Sequence, residues 1–316
     1  MELLTPICLP DTHKIFSLSN RKWLLPRLCR RTLRMLTAGQ PLIVFNFLPF
    51  ATPVAFSLRL HPDLLIYAQR SGWLDDPSSR MTHSHEQALL AAADLVITSS
   101  SILSKKAHPQ QMKLLEIPAL VDFELYYRPV IATKITKPVC CFLGHLNERI
   151  AAELLLGIAS HYKLCVIGYL ARDSVLGAAP IEQWGMVRQN ELPELMSKVD
   201  IFIFPYKLNE FTRNIFPYKV YQCFAQGKAI VSSRLPAMSR LGDLVYWADE
   251  LPEFLRMIEA AAGEGCEIKI RRQELARQYD RSVQLAEVEA RLRQQLLNKK
   301  TAIPCCGQNQ DETKFK

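Results

Sequence analysis

The stretch from Asp200 to Pro236, DIFIFPYKLNEFTRNIFPYKVYQCFAQGKAIVSSRLP, holds the residues with the most chemistry to offer. A buried-strand pattern ends at Pro205 and a polar loop follows. Pro217 stands where a helix would open, because proline is favoured at the first helical position. Gly227 then ends that helix, and the next apolar run begins at once. This order aims a helix N-terminus at the mouth of a cleft, where free N–H groups and the helix dipole attract anions. Arg213 and Lys219 add positive charge within a turn or two. A diphosphate is the guest that such a site suits.

The elements that must position this stretch alternate along most of the chain. Strand candidates are Leu42–Asn46, Leu64–Tyr67, Asp94–Thr98 and Lys113–Ile117, then Val139–Leu143, Leu164–Gly168, Ile201–Pro205, Ala229–Ser233 and Leu244–Trp247. Helical spacers such as Met81–Ala92, Glu148–His161, Glu191–Lys198 and Pro217–Gln226 separate them. Strands spaced by helices indicate parallel sheets built from βαβ units. The segment Tyr126–Lys137 has no helical period and carries proline and lysine, so the boundary between two domains is placed there. The expected layout is an α/β chain of two Rossmann-like domains, 1–130 and 131–265, followed by a basic helix over 266–298 and a polar tail over 299–316. Ligands of such domains sit at the carboxyl ends of the strands.

The central stretch resembles the donor-side motif of GT-B glycosyltransferases of the large family-4-like group. The residues that carry the likeness are Asn209-Glu210-Phe211-Thr212-Arg213, then Pro217, Lys219 and Gln222, then Gly227-Lys228-Ala229-Ile230-Val231. Val139–Gly144 is similar to the family's first donor-domain strand and glycine turn, and Leu164–Gly168 to its next strand. Gln183–Asp200 is similar to the segment before the motif. Ala92–Ser100 and Ile117–Phe123 are similar to the end of the acceptor domain. The likeness implies a C-terminal domain holding a nucleotide diphosphate sugar, uridine-based, through Gly144, Gly168, Tyr206, Glu210, Arg213, Asn214, Tyr218, Lys219 and Gln222. It implies no metal and no separate cofactor. Lys219 would meet phosphate and Gln222 the ribose, whose hydroxyls an amide can bond. The acceptor implied is a saccharide or a lipid-linked saccharide.

Departures from the family pattern bear on mechanism. Many retaining members place two glutamates eight positions apart, where this chain has Asn214 and Gln222. Lysine followed three residues on by glutamine is instead similar to the xanthan-type glucuronosyltransferases, an inverting branch, so hexosyl or glycuronosyl transfer and retention or inversion all stay open. An inverting enzyme needs a base for the acceptor proton. The acids at the corresponding place in the N-terminal half are Asp75 and Asp76, which read equally as a solvated pair or as helix caps. Relatives also carry a strand and helix ahead of the position equivalent to Leu42, so the N-terminal domain is expected to lack its first unit. A GT-B-like protein that binds nucleotide without catalysing transfer is therefore the alternative.

Lys and Arg outnumber Asp and Glu by 39 to 31, a formal charge of +8, which suits an anionic partner. Asn20–Arg34 carries Arg21, Lys22, Arg27, Arg30, Arg31 and Arg34 among leucines and Trp23, with no acid. Residues 20–36 read either as a helix lying on an anionic membrane or as a surface helix with solvated arginines. No stretch is long and apolar enough to span a bilayer, and no signal peptide is expected, giving a cytoplasmic protein peripheral on the inner membrane. The nine cysteines include two adjacent pairs and no CxxC spacing, which excludes a disulfide framework and a zinc site. Cys140, Cys141 and Cys165 fall in apolar runs as small hydrophobes. His83-Ser84-His85-Glu86 opens a helix and reads as capping rather than metal binding. Trp184 and Tyr206 are candidates to flank a nucleobase, or else core. Arg271, Arg272, Arg277 and Arg281 read as an ordinary basic face, without the interleaved aromatics of a nucleic-acid site.

Overall fold

The apolar runs pair side by side into two wholly parallel sheets in the computed structural model, which describes residues 24–35, 41–69, 80–106, 114–117, 119–132, 135–169 and 180–302. The first sheet has the order β1-β2-β3-β4, from β1 (Ile43–Asn46), β2 (Leu64–Gln69), β3 (Leu95–Thr98) and β4 (Leu114–Glu116). Helices α1 (Leu25–Met35), α2 (Ala51–Arg59), α3 (Arg80–Ala92) and α4 (Ser101–Lys106) accompany it. Strand β2 is buried along its whole length, as expected of a central strand covered on both faces. Val54, Leu65, Tyr67, Leu89, Leu90 and Val96 form the core on one side of this sheet, while Ile66, Leu95 and Leu115 pack on the other.

The second sheet has six strands in the order β10-β9-β8-β5-β6-β7. They are β5 (Val139–Leu143), β6 (Lys163–Ile167), β7 (Ile181–Gly185), β8 (Ile201–Phe204), β9 (Ala229–Ser232) and β10 (Tyr246–Trp247). Alternation along β5 sends Cys141 and Leu143 to one face and Cys140 and Phe142 to the other. The first face is covered by α5 (Phe123–Tyr126), α7 (Leu192–Ser197), α8 (Val220–Ala225) and α10 (Cys266–Gln278); the second by α6 (Ala152–Ala159) and α9 (Leu251–Ala262). The sheet is thus doubly wound; Cys140, Cys141 and Cys165 within it and Cys223 on α8 are free, buried thiols.

Three sequence readings change. The terminal basic helix is two helices, α10 and α11 (Arg281–Ala302), broken at Tyr279–Asp280. There Asp280 accepts hydrogen bonds from Phe123 N and from the backbone and hydroxyl of Ser282. The basic face on these helices is paired rather than free. Arg272 is fully buried against Glu264, Arg271 pairs with Asp243, Arg281 pairs with Asp122, and Arg277 lies 4.4 Å over the Phe123 ring. Glu86 is a core residue rather than a cap: it is wholly buried and accepts from Tyr67 Oη at 2.5 Å and Gln69 Nε2 at 3.0 Å. In α1, Leu25 and Cys29 pack on Leu60, while Arg27, Arg30, Arg31 and Arg34 stay exposed. No described helix is long and apolar enough to cross a membrane.

Candidate functional site

Strand order reverses between β5 and β8: β6 and β7 lie to one side of β5, and β9 and β10 to the far side of β8. Chains leaving the two central strands therefore diverge, opening a crevice at their carboxyl ends. The residue after β5 is Gly144, and the loop after β8 begins at Pro205-Tyr206. Ile150 and Tyr206 form a bridge that ties the two loops together. Gly144 and Tyr206, both named from the sequence, flank this switch point.

Two glycines shape its floor. Gly168 follows β6 with a φ of +136°, and a side chain there would come within 2.0 Å of the Gly144 carbonyl oxygen. Gly144 itself has a φ of +154°, and a Cβ on it would lie 3.2 Å from Lys219 Nζ. Gly168 combines a backbone that favours glycine with a close approach that demands it, while at Gly144 the positive φ favours glycine and the facing atom is the flexible end of Lys219. The backbone of β5 and β6 is thereby left bare beneath the crevice.

Lys219 reaches across from the α8 side. Its ammonium donates to Leu143 O at 3.3 Å, so it spans from the element after β8 to the end of β5. Burial pushes its pKa below the ordinary lysine value. No carboxylate pairs with it among the described residues; the Tyr218 ring lies 5.5 Å away, and the Cys141 and Cys223 thiols are near enough to act on its charge. A half-buried cation held by one carbonyl and one ring is electrostatically unsatisfied, and an anion is what completes it. Three residues on, Gln222 is 6% exposed and its Oε1 has no hydrogen-bond partner. An orphaned buried acceptor costs free energy unless a donor arrives. The pair offers an anion and a hydroxyl donor complementary partners.

The helix behind them is shorter than the sequence indicates. Pro217 does not open it. Val220 N bonds Pro217 O in a preceding turn, and α8 runs only from Val220 to Ala225 with Lys219 at its N-cap. Lys219 side-chain charge, more than a helix dipole, therefore carries the positive potential here. Arg213 and Glu210 are exposed on the loop before it. Asn214 is turned inward: its Nδ2 donates to Glu210 O at 2.7 Å, and its backbone carbonyl accepts from Ser100 Oγ, on the N-terminal half, at 3.3 Å. Tyr218 is half exposed, and burial raises the Tyr206 hydroxyl to about 12. Tyr206 also lines a 440 Å³ hollow with Glu153, Lys207 and Asp249. Trp184 lies on the edge strand β7, where its Nε1 donates to Glu182 at 3.2 Å. Asp75 and Asp76 lie outside the described residues.

His145 and Tyr169, which follow the two glycines, escaped the sequence reading. Their rings meet edge to face at 5.0 Å. The available signal was positional: each is the first residue after a glycine turn at a strand's carboxyl end.

Two Rossmann-like parallel sheets joined in this way define the GT-B fold. Among solved structures, the chain superposes on the UDP-forming α,α-trehalose-phosphate synthase of Burkholderia xenovorans with a TM-score of 0.60 at 11% identity, over 90% of this chain and 80% of that one. The α,α-trehalose 6-phosphate synthase of Burkholderia multivorans gives a TM-score of 0.64 at 13% identity, over 92% and 78%. TarM gives 0.59 at 9%, over 79% and 54%. In sequence, the chain is 22% identical over 192 residues to TuaH of Bacillus subtilis (strain 168), whose name places it in teichuronic acid biosynthesis as a glycosyltransferase. That match takes in 54% of this chain and spans about half, 48%, of the relative's length. The sequence matches no protein-family profile.

Proposed function

We propose that the chain is a glycosyltransferase that binds a uridine diphosphate sugar in the crevice between β5 and β8 and passes the sugar to a saccharide or lipid-linked saccharide. The observation that carries this reading is Lys219, a half-buried cation without an acidic partner among the described residues, pinned at the switch point beside Gly144. Its ammonium would hold the diphosphate and stabilise the charge that develops there as the sugar leaves. Gln222 would receive a ribose hydroxyl on its orphaned Oε1. The TuaH likeness, partial as it is, points to the same chemistry.

Calorimetry on uridine diphosphate tests the reading. A charge-assisted hydrogen bond contributes about 1.5–3 kcal/mol, so Lys219→Ala should weaken binding roughly 10- to 150-fold. Gln222→Glu should be mild, since a carboxylate still accepts from ribose, and Gln222→Leu worse. Parent-like affinity in Lys219→Ala with the fold intact overturns the assignment. The charge is met without metal in this mechanism, so a chelator should leave binding unchanged; strict dependence on Mg²⁺ or Mn²⁺ overturns that part. Donor hydrolysis in the presence of membranes separates a working transferase from a protein that only binds nucleotide.

The exposed arginines of α1 favour a second element of the reading, that the N-terminal half rests on an anionic membrane. Each basic residue near such a surface contributes about 1 kcal/mol. Changing Arg27, Arg30, Arg31 and Arg34 to Gln should release the protein from anionic vesicles, and unchanged partitioning would leave α1 an ordinary surface helix.

A further inference from the structure

The hollow of 440 Å³ behind the loop after β8 falls within the about 300–1,000 Å³ usual for small-molecule sites. It lies at the carboxyl ends of β8 and β9, on the sheet face covered by α6 and α9. Gly144, Lys219 and Gln222 are not among its walls. Backbone bonds fix those walls. Ala151 N donates to Pro205 O at 2.8 Å and Lys207 N to Arg149 O at 2.9 Å, tying the loop after β8 to the start of α6. Ser233 N donates to Phe204 O at 3.1 Å, tying the loop after β9 to β8. Ser233 is 2% exposed and lines the hollow, yet its Oγ has no hydrogen-bond partner among the described residues. A buried hydroxyl left unpaired costs free energy until a partner arrives. Asp249 is the second polar group in the wall. Its Oδ1 accepts from Arg234 N at 2.9 Å and its Oδ2 from Arg234 Nη1 at 2.6 Å. Those bonds hold the carboxylate still and leave each oxygen a further lone pair for a ligand.

We propose that this hollow is a saccharide site, apart from the nucleotide crevice, that takes a neutral sugar unit: Ser233 and Asp249 bond its hydroxyls, and Tyr206 and Leu208 meet its apolar face. A pyranose carries hydroxyls around its rim and C–H groups on its faces, so it calls for fixed polar groups beside an apolar wall. Leu154 and Leu251 supply that wall together with Leu208, which stands half exposed on the loop. Three carboxylates, Glu153, Asp249 and Glu250, line the hollow against one ammonium, Lys207. That balance accepts hydroxyl donors and repels an anionic ligand. Because the walls are already held by backbone bonds, little ordering accompanies binding. For a transferase acting on a saccharide, such a site holds the glycan away from the reacting end. The proposal goes beyond the nucleotide reading and does not rest on it.

The probes are glucose, galactose, mannose and N-acetylglucosamine, titrated against the full chain by saturation-transfer NMR. At least one should bind the parent saturably; saturation by none of the four overturns the proposal. Ser233→Ala removes one hydrogen bond and should weaken that sugar about 2- to 12-fold. Leu208→Ala, at an exposed loop position, should weaken it as well, and it keeps the test open should Ser233→Ala fail to fold. Both variants should bind uridine diphosphate as the parent does in calorimetry. Sugar affinity unchanged in the folded variants overturns the proposal, because the sugar then sits elsewhere. A parallel loss of uridine diphosphate affinity overturns it too, because the hollow would then be part of the nucleotide crevice. Glucuronate should bind more weakly than glucose, and the reverse order overturns the assignment to a neutral sugar. A parent that binds sugar in the hollow but no uridine diphosphate leaves this site standing while the nucleotide reading falls.

Discussion

Gly168 concentrates more constraint than any other residue at the crevice. Its φ of +136° is costly for a side chain, and the atom that a Cβ would strike at 2.0 Å is the Gly144 carbonyl, which cannot swing aside without moving β5. Gly168→Ala should therefore destabilise by about 2–4 kcal/mol, combining backbone strain with a shift of two strands. Thermal denaturation against the parent gives the number, and a loss under about 0.5 kcal/mol, ordinary for surface changes, would mean that the two turns are not mutually braced. The residues of this site were legible to different degrees. Lys219 and Gln222 stand at motif spacing; the Lys219 ammonium reaches the end of β5, and Gln222 is buried in α8 with its Oε1 unpartnered. Asn214 stands at motif spacing too, yet its Nδ2 donates inside its own loop. Spacing along the chain fixes where a residue is, and only the local backbone fixes which way its side chain turns.

Elements were readable where burial alone decided them. The runs at β5, β6, β8 and β9 are continuous apolar stretches, and each is a strand buried on both faces. β7, with the sequence IEQWG, is an edge strand whose Glu182 and Gln183 are exposed, so no hydrophobic period marks it. The expected strand Leu244–Trp247 shrinks to two residues because the chain from Pro236 to Leu244 winds as 3-10 turns. The expected single helix over 266–298 breaks because Asp280 is drawn to the backbone of Phe123, a partner 157 residues away. Arg272 in α10 shows the same limit. Helical spacing gives it a place on a basic stripe, whereas in the fold it bonds Glu264 through both terminal nitrogens and donates from Nε to Leu244 O. Arg272→Leu would leave Glu264, 3% exposed, as an uncompensated buried charge. The expected loss is about 3–5 kcal/mol in urea unfolding. Arg272→Leu combined with Glu264→Leu should recover much of it, because the isolated charge is then gone. A double variant no better than the single would show that the carbonyl contact and packing of Arg272, not the ion pair, hold α10.

At the scale of the molecule, the chain returns to its N-terminal half after completing the C-terminal one. Val121 N bonds Tyr279 O and Arg281 N bonds Val121 O, so the break between α10 and α11 is stitched to the segment that first left the N-terminal sheet. Arg240 joins the halves a second time, pairing with Glu116 at 2.9 Å while its guanidinium lies 5.0 Å over Phe216 and 5.6 Å over Tyr279. From Arg281 onward, α11 belongs to the N-terminal sheet. Val288 and Leu292, one turn apart, cover Ile66, Leu95 and Leu115, and Lys299 pairs with Asp94 at 2.7 Å, the same carboxylate that accepts from Leu65 N. One face of β2 and β3 is therefore sealed by the last helix of the chain. Val288→Asp would place a charge against that apolar face, and a buried charge without a partner strongly disfavours docking. Amide hydrogen exchange should then quicken in β2 and β3 while β5, β8 and β9, whose core shares none of these contacts, keep the parent's protection. Equal loosening of both sheets would mean that the two halves unfold as one cooperative unit. No change in β2 and β3 would mean that α11 is a passenger on a sheet that is stable without it.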